Sequence, residues 1–503
     1  MNRRMLLLAL VLALFSAVQP VPAEEHRVLM AGYEEKDTYR DWANNLFFKR
    51  MEERTGVMFD YLQYDTWEAW QQAKPALLKQ GDQLPQVLFK AGLSPAETIT
   101  LLDEGVLLDL APLLEEHAPN LWALLQANPD FLQAVLLPDG RIGALPYLNE
   151  APTQNAMWIN TKWLNNLRLA MPATAQELTE VLIAFRDEDP NQNIRKDEVP
   201  LLFVGSYDLK YLAHAYGLAA NDYNVFVQDG QVHYLASEPG FRDFLAWCRS
   251  LYEQGLLVKD GFTTVDSLRR VDDSKSTQTY GLVLAPLPSS LMPTDWTTDY
   301  ALLPPLVHEG EQVYRRVASR ATPGAFALTT ACKEPEKLLA WVDFLYTQEG
   351  AILATNGQEG VDYLVDGDGS WRMTDGAQQS GFLAAATIGT GAVPPGLSSQ
   401  EFQRRSSQKL VGYVTDELLK LDALAIDPFP PFSLTAQQEA QIAPLQRELG
   451  RYVDESIARF VVGEWPLDDT QYAAFQEHLE ALGLPDFLAF WQGILDKQVE
   501  GTK

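Results

Sequence analysis

Apolar positions recur in two rhythms along this chain. Between Thr174 and Asp189 they fall at Leu178, Val181, Leu182 and Phe185, a spacing that lays one stripe along a helix. Thr174-Ala-Gln-Glu177 is a capping-box start signal, and Pro190 cannot continue the helix. The helical rhythm returns in "PGFRDFLAWCRSLYEQGLL" and "KEPEKLLAWVDFLYTQEG", with Gly255 and Gly350 placed as C-terminal stops. Trp163, Trp247 and Trp341 lie inside helical patterns and are assigned to the core. The runs "HRVLMAGY", "GVMFDYLQY" and "QVLFKAG" are instead strand-length and bounded by turn residues. A helix is predicted between the first two and another over 66–80. Residues 98–147 read as helices closed by an Asp139-Gly140 turn and a strand, and the chain from Thr435 reads as helical. Strands alternating with helices predict βαβ units, a mainly parallel sheet and an α/β fold.

The opening "MNRRMLLLALVLALFSAVQPVPAEEH" departs from both rhythms. Arg3 and Arg4 precede an apolar run over 5–15, and Val21-Pro22-Ala23 ends in small residues. This predicts a signal peptide over 1–23, since the run is short of the roughly 18–20 residues a membrane span needs. No cysteine follows the run, so a lipoprotein anchor is not expected, and the protein is expected to be periplasmic or extracellular. The remaining 480 residues exceed one core and imply two lobes. No linker is visible, so the chain should cross between lobes more than once.

The net charge is −29, and losing two arginines with the leader makes it −31. Such a field repels nucleic acid and anionic membranes, so neither is an expected partner. Cys248 and Cys332 lie in different segments and are expected as free thiols. The six histidines form no metal-ligand spacing, and no P-loop, GxSxG or GxGxxG occurs. With 68 acidic residues, a pair placed for glycoside hydrolysis has little weight. Aromatic residues say more. Tyr33, Tyr147, Tyr207, Trp296 and Trp371 fall in predicted loops, where ring faces could stack on sugars or simply pack.

In "FRDEDPNQNIRKDEVP", Asp189, Asn191, Asn193, Arg195 and Asp197 occupy every second position. With the Arg195 carbonyl they match positions 1, 3, 5, 7 and 9 of a calcium loop. Position 12 would be Pro200, so this is not an EF-hand. Ile194 stands where the sharp turn favours glycine, at a cost of roughly 1–2 kcal/mol. The alternative is a solvated acidic loop at a helix end.

The segment "MWINTKWLNNLRLAMPATAQELTEVLIAFRDEDPNQNIRKDEVPLLF" resembles the extracellular solute-binding proteins of ABC importers, in the large oligosaccharide-binding branch that includes alginate and pectin binders. "GDQLPQVLF", "LYEQGLLVKDGF", "GQEGVDY" and "FVVGEWPLDD" follow in family order. Asn160 and Lys162 depart from the family pattern, as do Gln192 and Ile194 in place of loop glycines. The resemblance implies a type II-like periplasmic-binding-protein fold, two α/β lobes joined by three crossing segments around a ligand cleft. Crossings are expected near 145–155, 315–327 and 350–365. The N-terminal lobe would hold 24–150 and 318–352, and the C-terminal lobe 151–317 and 353–503. In that branch the adjacent acidic pair, here Asp197 and Glu198, closes a structural calcium site.

The expected function is the binding subunit of an ABC importer, delivering an oligosaccharide to the permease as a monomer and without catalysis. Lys90 and Glu150, beside predicted cleft strands, join the five aromatics as ligand candidates. A secreted polysaccharide-degrading enzyme and a sensory or peptide-binding receptor of the same fold remain open alternatives.

Overall fold

Two lobes form because the chain builds two large sheets whose packed apolar residues do not merge. The computed structural model describes residues 27–79, 81, 84–150, 152–263, 278–316, 319–389, 393–406 and 409–501. The leader expected at 1–23 lies outside the described residues. Among the described residues no helix is long and apolar enough to cross a membrane.

The first lobe is built on a six-stranded sheet in the order Gly396–Ser398, Leu145–Asn149, Ala321–Leu328, Val87–Phe89, Arg27–Tyr33, Met58–Tyr64. Side-chain alternation gives it two buried faces. Met30, Val87, Phe89, Phe326 and Leu328 pack on one side; Ala31, Leu88 and Ala327 pack on the other. Helices Leu46–Thr55 and Trp67–Leu77 connect the parallel trio of strands as βαβ crossovers. Ala321–Leu328 runs antiparallel to both its neighbours, so the sheet is mixed rather than mainly parallel. The reason is topological: this strand enters from the other lobe and must run opposite to strands that leave their own.

The second lobe holds the four-stranded sheet Tyr300–Leu302, Ala156–Asn160, Tyr280–Ala285, Val199–Leu202. Its core takes in Trp163, Phe185, Phe241 and Cys248, together with Phe460 and Trp491 of the C-terminal helices. Trp247 packs partly buried against this core, and Trp341 is buried in the first lobe. Thr174 caps helix Ala175–Asp187 by accepting the Glu177 amide, while Glu177 accepts the Ala173 amide and so reaches one residue beyond the cap. Leu178, Val181, Leu182 and Phe185 form its buried stripe, as their spacing predicts.

Two expectations are corrected. Gly350 ends no helix; it lies inside Gln348–Thr355, where a Cβ would meet the Phe344 carbonyl oxygen. The glycine serves a close approach, which periodicity cannot distinguish from a stop. The third crossing is not near 350–365 either. Gly396–Ser398 is a strand of the first sheet, so 353–398 do not belong wholly to the second lobe. The first sheet is left after Leu145–Asn149 and re-entered at Ala321–Leu328.

Candidate functional site

Strand direction determines which loops face the other lobe. Ala321 begins its strand just after a crossing, and the antiparallel partner Val87–Phe89 therefore ends there, as do its parallel neighbours. The carboxyl ends at Tyr33, Tyr64 and Lys90 thus point toward the crossings. In the second lobe Val199–Leu202 and Tyr280–Ala285 end beside the start of Ala156–Asn160, again at a crossing. Carboxyl ends of parallel strands are where α/β folds bind ligands. The lobes also touch through helices Pro95–Asp103 and Ala436–Val462.

Three cavities surround the crossings. The largest, about 790 Å3, lies between Tyr39 and Arg40 of the first lobe, Trp371 and Gln379 of the segment after 353, and Val411. A second of about 320 Å3 shares Gln403 and Val411 with it and reaches Asn149 and Ser289. A third of about 340 Å3 lies among Asp130, Arg320, Asp222 and Phe432. The largest is within the range of small-ligand sites.

The ligand candidates scatter around this space, and only Trp371 lines one of the three cavities. Trp371 is itself buried; its ring stacks on Phe402 at 4.4 Å and its indole N–H donates to the Phe402 carbonyl. Tyr33 stands at its strand end against Trp67, centroids 5.1 Å apart. Tyr207, 39 % exposed, lies mid-way along the helix Gly205–Leu209 with its hydroxyl 3.1 Å from that of Tyr211. Burial raises the Tyr147 hydroxyl, which bonds Ser398. Glu150 accepts the Gln400 amide and so ties two crossings together. Trp296 packs against the second core.

Lys90 is enclosed and ion-paired in this structure. It is buried with its Nζ 2.5 Å from Glu34, whose other oxygen accepts from Thr38 and lies 3.9 Å from Arg40. Burial depresses the Lys90 ammonium to about 8 although Glu34 opposes this. Nothing in the spacing of Glu34 and Lys90 signals that they meet across two adjacent strands.

Two exposed aromatics were not legible as candidates. Trp67, 39 % exposed, is the first residue of its helix after the Thr66 cap, at the end of Met58–Tyr64. Helical periodicity absorbed it, although a Trp directly after a strand-to-helix cap is a usable signal. Tyr39, 84 % exposed at φ 55°, stands on the rim of the largest cavity. Left-handed backbone at a non-glycine residue is strain that clusters at binding sites.

Deeper in the second lobe Arg315 lies over the Tyr211 ring at 3.9 Å and 3.7 Å from Asp222. Burial raises the nearby Asp208 to about 7, against the Val204 amide and the Asn155 amide that it accepts. His214, fully enclosed, donates from Nδ1 to the Tyr211 carbonyl and accepts the Leu306 amide at Nε2; burial lowers it to about 4.

The acidic loop curls as a cation loop would. Asp189, Gln192 and Ile194 are left-handed, Ile194 at φ 63°. The Asp189 carboxylate accepts the amides of Asn193 and Ile194, and Asn193 accepts the Arg195 amide. Asp197 accepts from the Asn191 and Asn193 side chains. Burial raises Glu198, with Asp197 and Asp189 adding repulsion, and its Oε1 is buried without a hydrogen-bond partner. Such an orphaned oxygen fits a hard cation. Among the described residues, however, no three His, Cys, Asp or Glu side chains converge as a metal cluster.

With this geometry in view, comparisons place the chain among known proteins. It is 25 % identical over 500 residues to the fructooligosaccharide ABC transporter substrate-binding protein FusA of Streptococcus pneumoniae, covering 91 % of this chain and 88 % of that one. A structure of FusA as an EF-hand mutant in complex with fructo-nystose superposes with TM-score 0.69 at 22 % identity, over 95 % of this chain and 100 % of that one. An extracellular solute-binding protein of Bifidobacterium longum subsp. infantis gives TM-score 0.79 at 20 % identity, over 94 % and 99 %. The alginate-binding protein AlgQ2, solved without calcium ion, gives 0.66 at 20 % identity, over 93 % and 98 %. Residues 35–352, more than half the chain, match the family model of the bacterial extracellular solute-binding proteins, and the chain belongs to that family.

Proposed function

We propose that this protein is the exported binding subunit of an ABC importer and carries an oligosaccharide to a permease. The observation that supports this most is the cavity of about 790 Å3. Its wall offers Thr38, Asn356, Gln378, Gln379 and Gln403, groups that both donate and accept, beside the exposed aromatic Tyr39. Sugars need that combination: amides and hydroxyls for hydroxyl groups, and ring faces for their C–H surfaces. FusA, a relative over nearly the whole chain, is named for fructooligosaccharides.

The mode of action follows from two lobes with separate cores. A ligand that contacts both lobes favours the closed arrangement by its preference for that state, and the closed form is what a permease would read. Tyr33, Trp67, Tyr207 and Tyr39 are the residues expected to contact ligand, with Tyr147, Glu150 and Lys90 holding the crossings and the cleft base. Binding leaves the ligand chemically unchanged, and the protein acts as a monomer.

Calcium belongs to this reading as a structural ion. Asp189, Asn191, Asn193, the Arg195 carbonyl, Asp197 and Glu198 would hold it, fastening the end of helix Ala175–Asp187 to strand Val199–Leu202.

Calorimetry of the purified protein against neutral and acidic oligosaccharide series tests the function, with chromatography of each mixture after prolonged incubation. Saturable binding without new products is expected. Turnover would instead favour a secreted enzyme.

A further inference from the structure

We propose that the cleft is built for an uncharged glycan and rejects uronate oligosaccharides, because among the described residues every guanidinium lining the three cavities is already paired with a carboxylate or carbonyl of the protein. The inference rests on reading the cleft as an oligosaccharide site and decides its charge class, which is open between relatives that include a fructooligosaccharide binder and an alginate binder.

Among the described residues the three cavities are lined by three guanidinium groups and four carboxylates. Arg40 donates from Nε to the Thr387 carbonyl at 2.9 Å and lies 3.9 Å from Glu34. Arg316 is held between Asp422 at 3.0 Å and Asp427 at 3.2 Å. Arg320 pairs with Asp130 at 3.4 Å. Three cations set back from the walls are paired as well. Lys90 pairs with Glu34, Lys210 with Asp454 at 3.0 Å, and Arg315 faces Asp222 from above Tyr211. Lys36, exposed on the loop before Tyr39, stands between Glu35 and Asp37 in the chain. The 320 Å3 cavity has no charged residue on its wall.

A uronate carboxylate needs a charge-assisted donor, preferably a bidentate arginine. To obtain one here it must draw an arginine off its carboxylate, leaving a half-buried anion unpaired beside a second anion. These pairs are partly exposed, so exchanging one for a uronate returns little net, while the uronate carboxylate still gives up its water. The field of a chain at −29 adds repulsion at longer range. A neutral sugar meets none of these costs, since amides and hydroxyls satisfy its hydroxyls directly.

The test is calorimetry of the full protein with tri- to hexasaccharides of fructose, glucose and xylose, against galacturonate and alginate oligomers of equal length, at low and high salt. At least one neutral series should bind with a Kd that salt leaves nearly unchanged. The uronates should bind on the order of 100-fold more weakly or not at all. A uronate series that binds as tightly as any neutral one, and weakens with salt, would overturn the charge assignment while leaving the oligosaccharide reading intact. Failure of both classes would remove the oligosaccharide reading, and this inference with it.

Discussion

Trp67 lies against the bare Cα of Gly92: a Cβ on Gly92 would come 2.9 Å from two carbons of the indole ring. Gly92 is also left-handed, at φ 57°. The half-exposed indole therefore keeps its place beside Tyr33 because one position on the neighbouring strand end carries no side chain.

Gly92→Ala should displace Trp67 and weaken oligosaccharide binding, with a stability loss of about 1–2 kcal/mol from the backbone conformation. Trp67→Ala should lose on the order of 2 kcal/mol of binding while leaving the fold intact. Calorimetry paired with urea melts separates the two. A Trp67→Ala protein that binds like wild type would place the indole outside the ligand's reach.

Tyr39→Ala should weaken binding by more than about 1 kcal/mol without lowering stability. The side chain is 84 % exposed, so the free protein gains little from it. Tyr39→Gly should raise the stability of the unliganded protein by relieving the left-handed strain. The paired outcome, lower affinity with unchanged or higher stability, marks a binding residue.

The acidic loop yields two measurements. Chelation should lower the melting temperature, and calcium, but not sodium at equal ionic strength, should restore it. At 100-fold saturation the ion adds about 2.7 kcal/mol. Ile194→Gly should stabilise the protein by about 1 kcal/mol, because Ile194 is 93 % exposed at φ 63° and its side chain buries almost nothing. A melting curve indifferent to chelator would leave the loop a solvated turn.

Glu34→Gln should be among the most damaging single changes near the cleft, at about 3–5 kcal/mol, since it strands a buried Lys90 ammonium. Adding Lys90→Met to it should recover a large part of that loss. Denaturant melts of the single and double variants check the coupling.

Two buried groups give opposing pH dependence. Asp208 rises from 3.8 to about 7 on folding, so the native state holds its proton longer and stability falls as pH rises across that window. His214 falls from 6.5 to about 4, so its contribution is complete above 6.5 and is lost as pH drops toward 4. Between pH 4 and 6.5 the two offset each other. Asp208→Asn removes the first alone and should expose a loss of about 3 kcal/mol on acidification that wild type masks. Denaturant melts at several pH values would show it as a steeper acid limb.

The sequence by itself determined what depends on neighbours in the chain. The stripe Leu178–Phe185, the Thr174 cap and the first strands are legible because periodicity and capping are local. So is the oxygen spacing of 189–198, whose turn the backbone adopts even with Ile194 in a glycine position. The tertiary structure alone decided what depends on residues far apart. Glu34 and Lys90 meet only because two parallel strands lie side by side, which turns an expected ligand contact into a buried ion pair. Trp67 reads as one more helical position until the strand ends bring it to Tyr33 and Gly92. Gly396–Ser398 carries too few residues to announce its sheet, and hydrogen bonds to Leu145–Asn149, some 250 residues earlier, moved the third crossing. The charge of the cleft has the same origin, since whether an arginine can reach a ligand depends on which distant carboxylate already holds it.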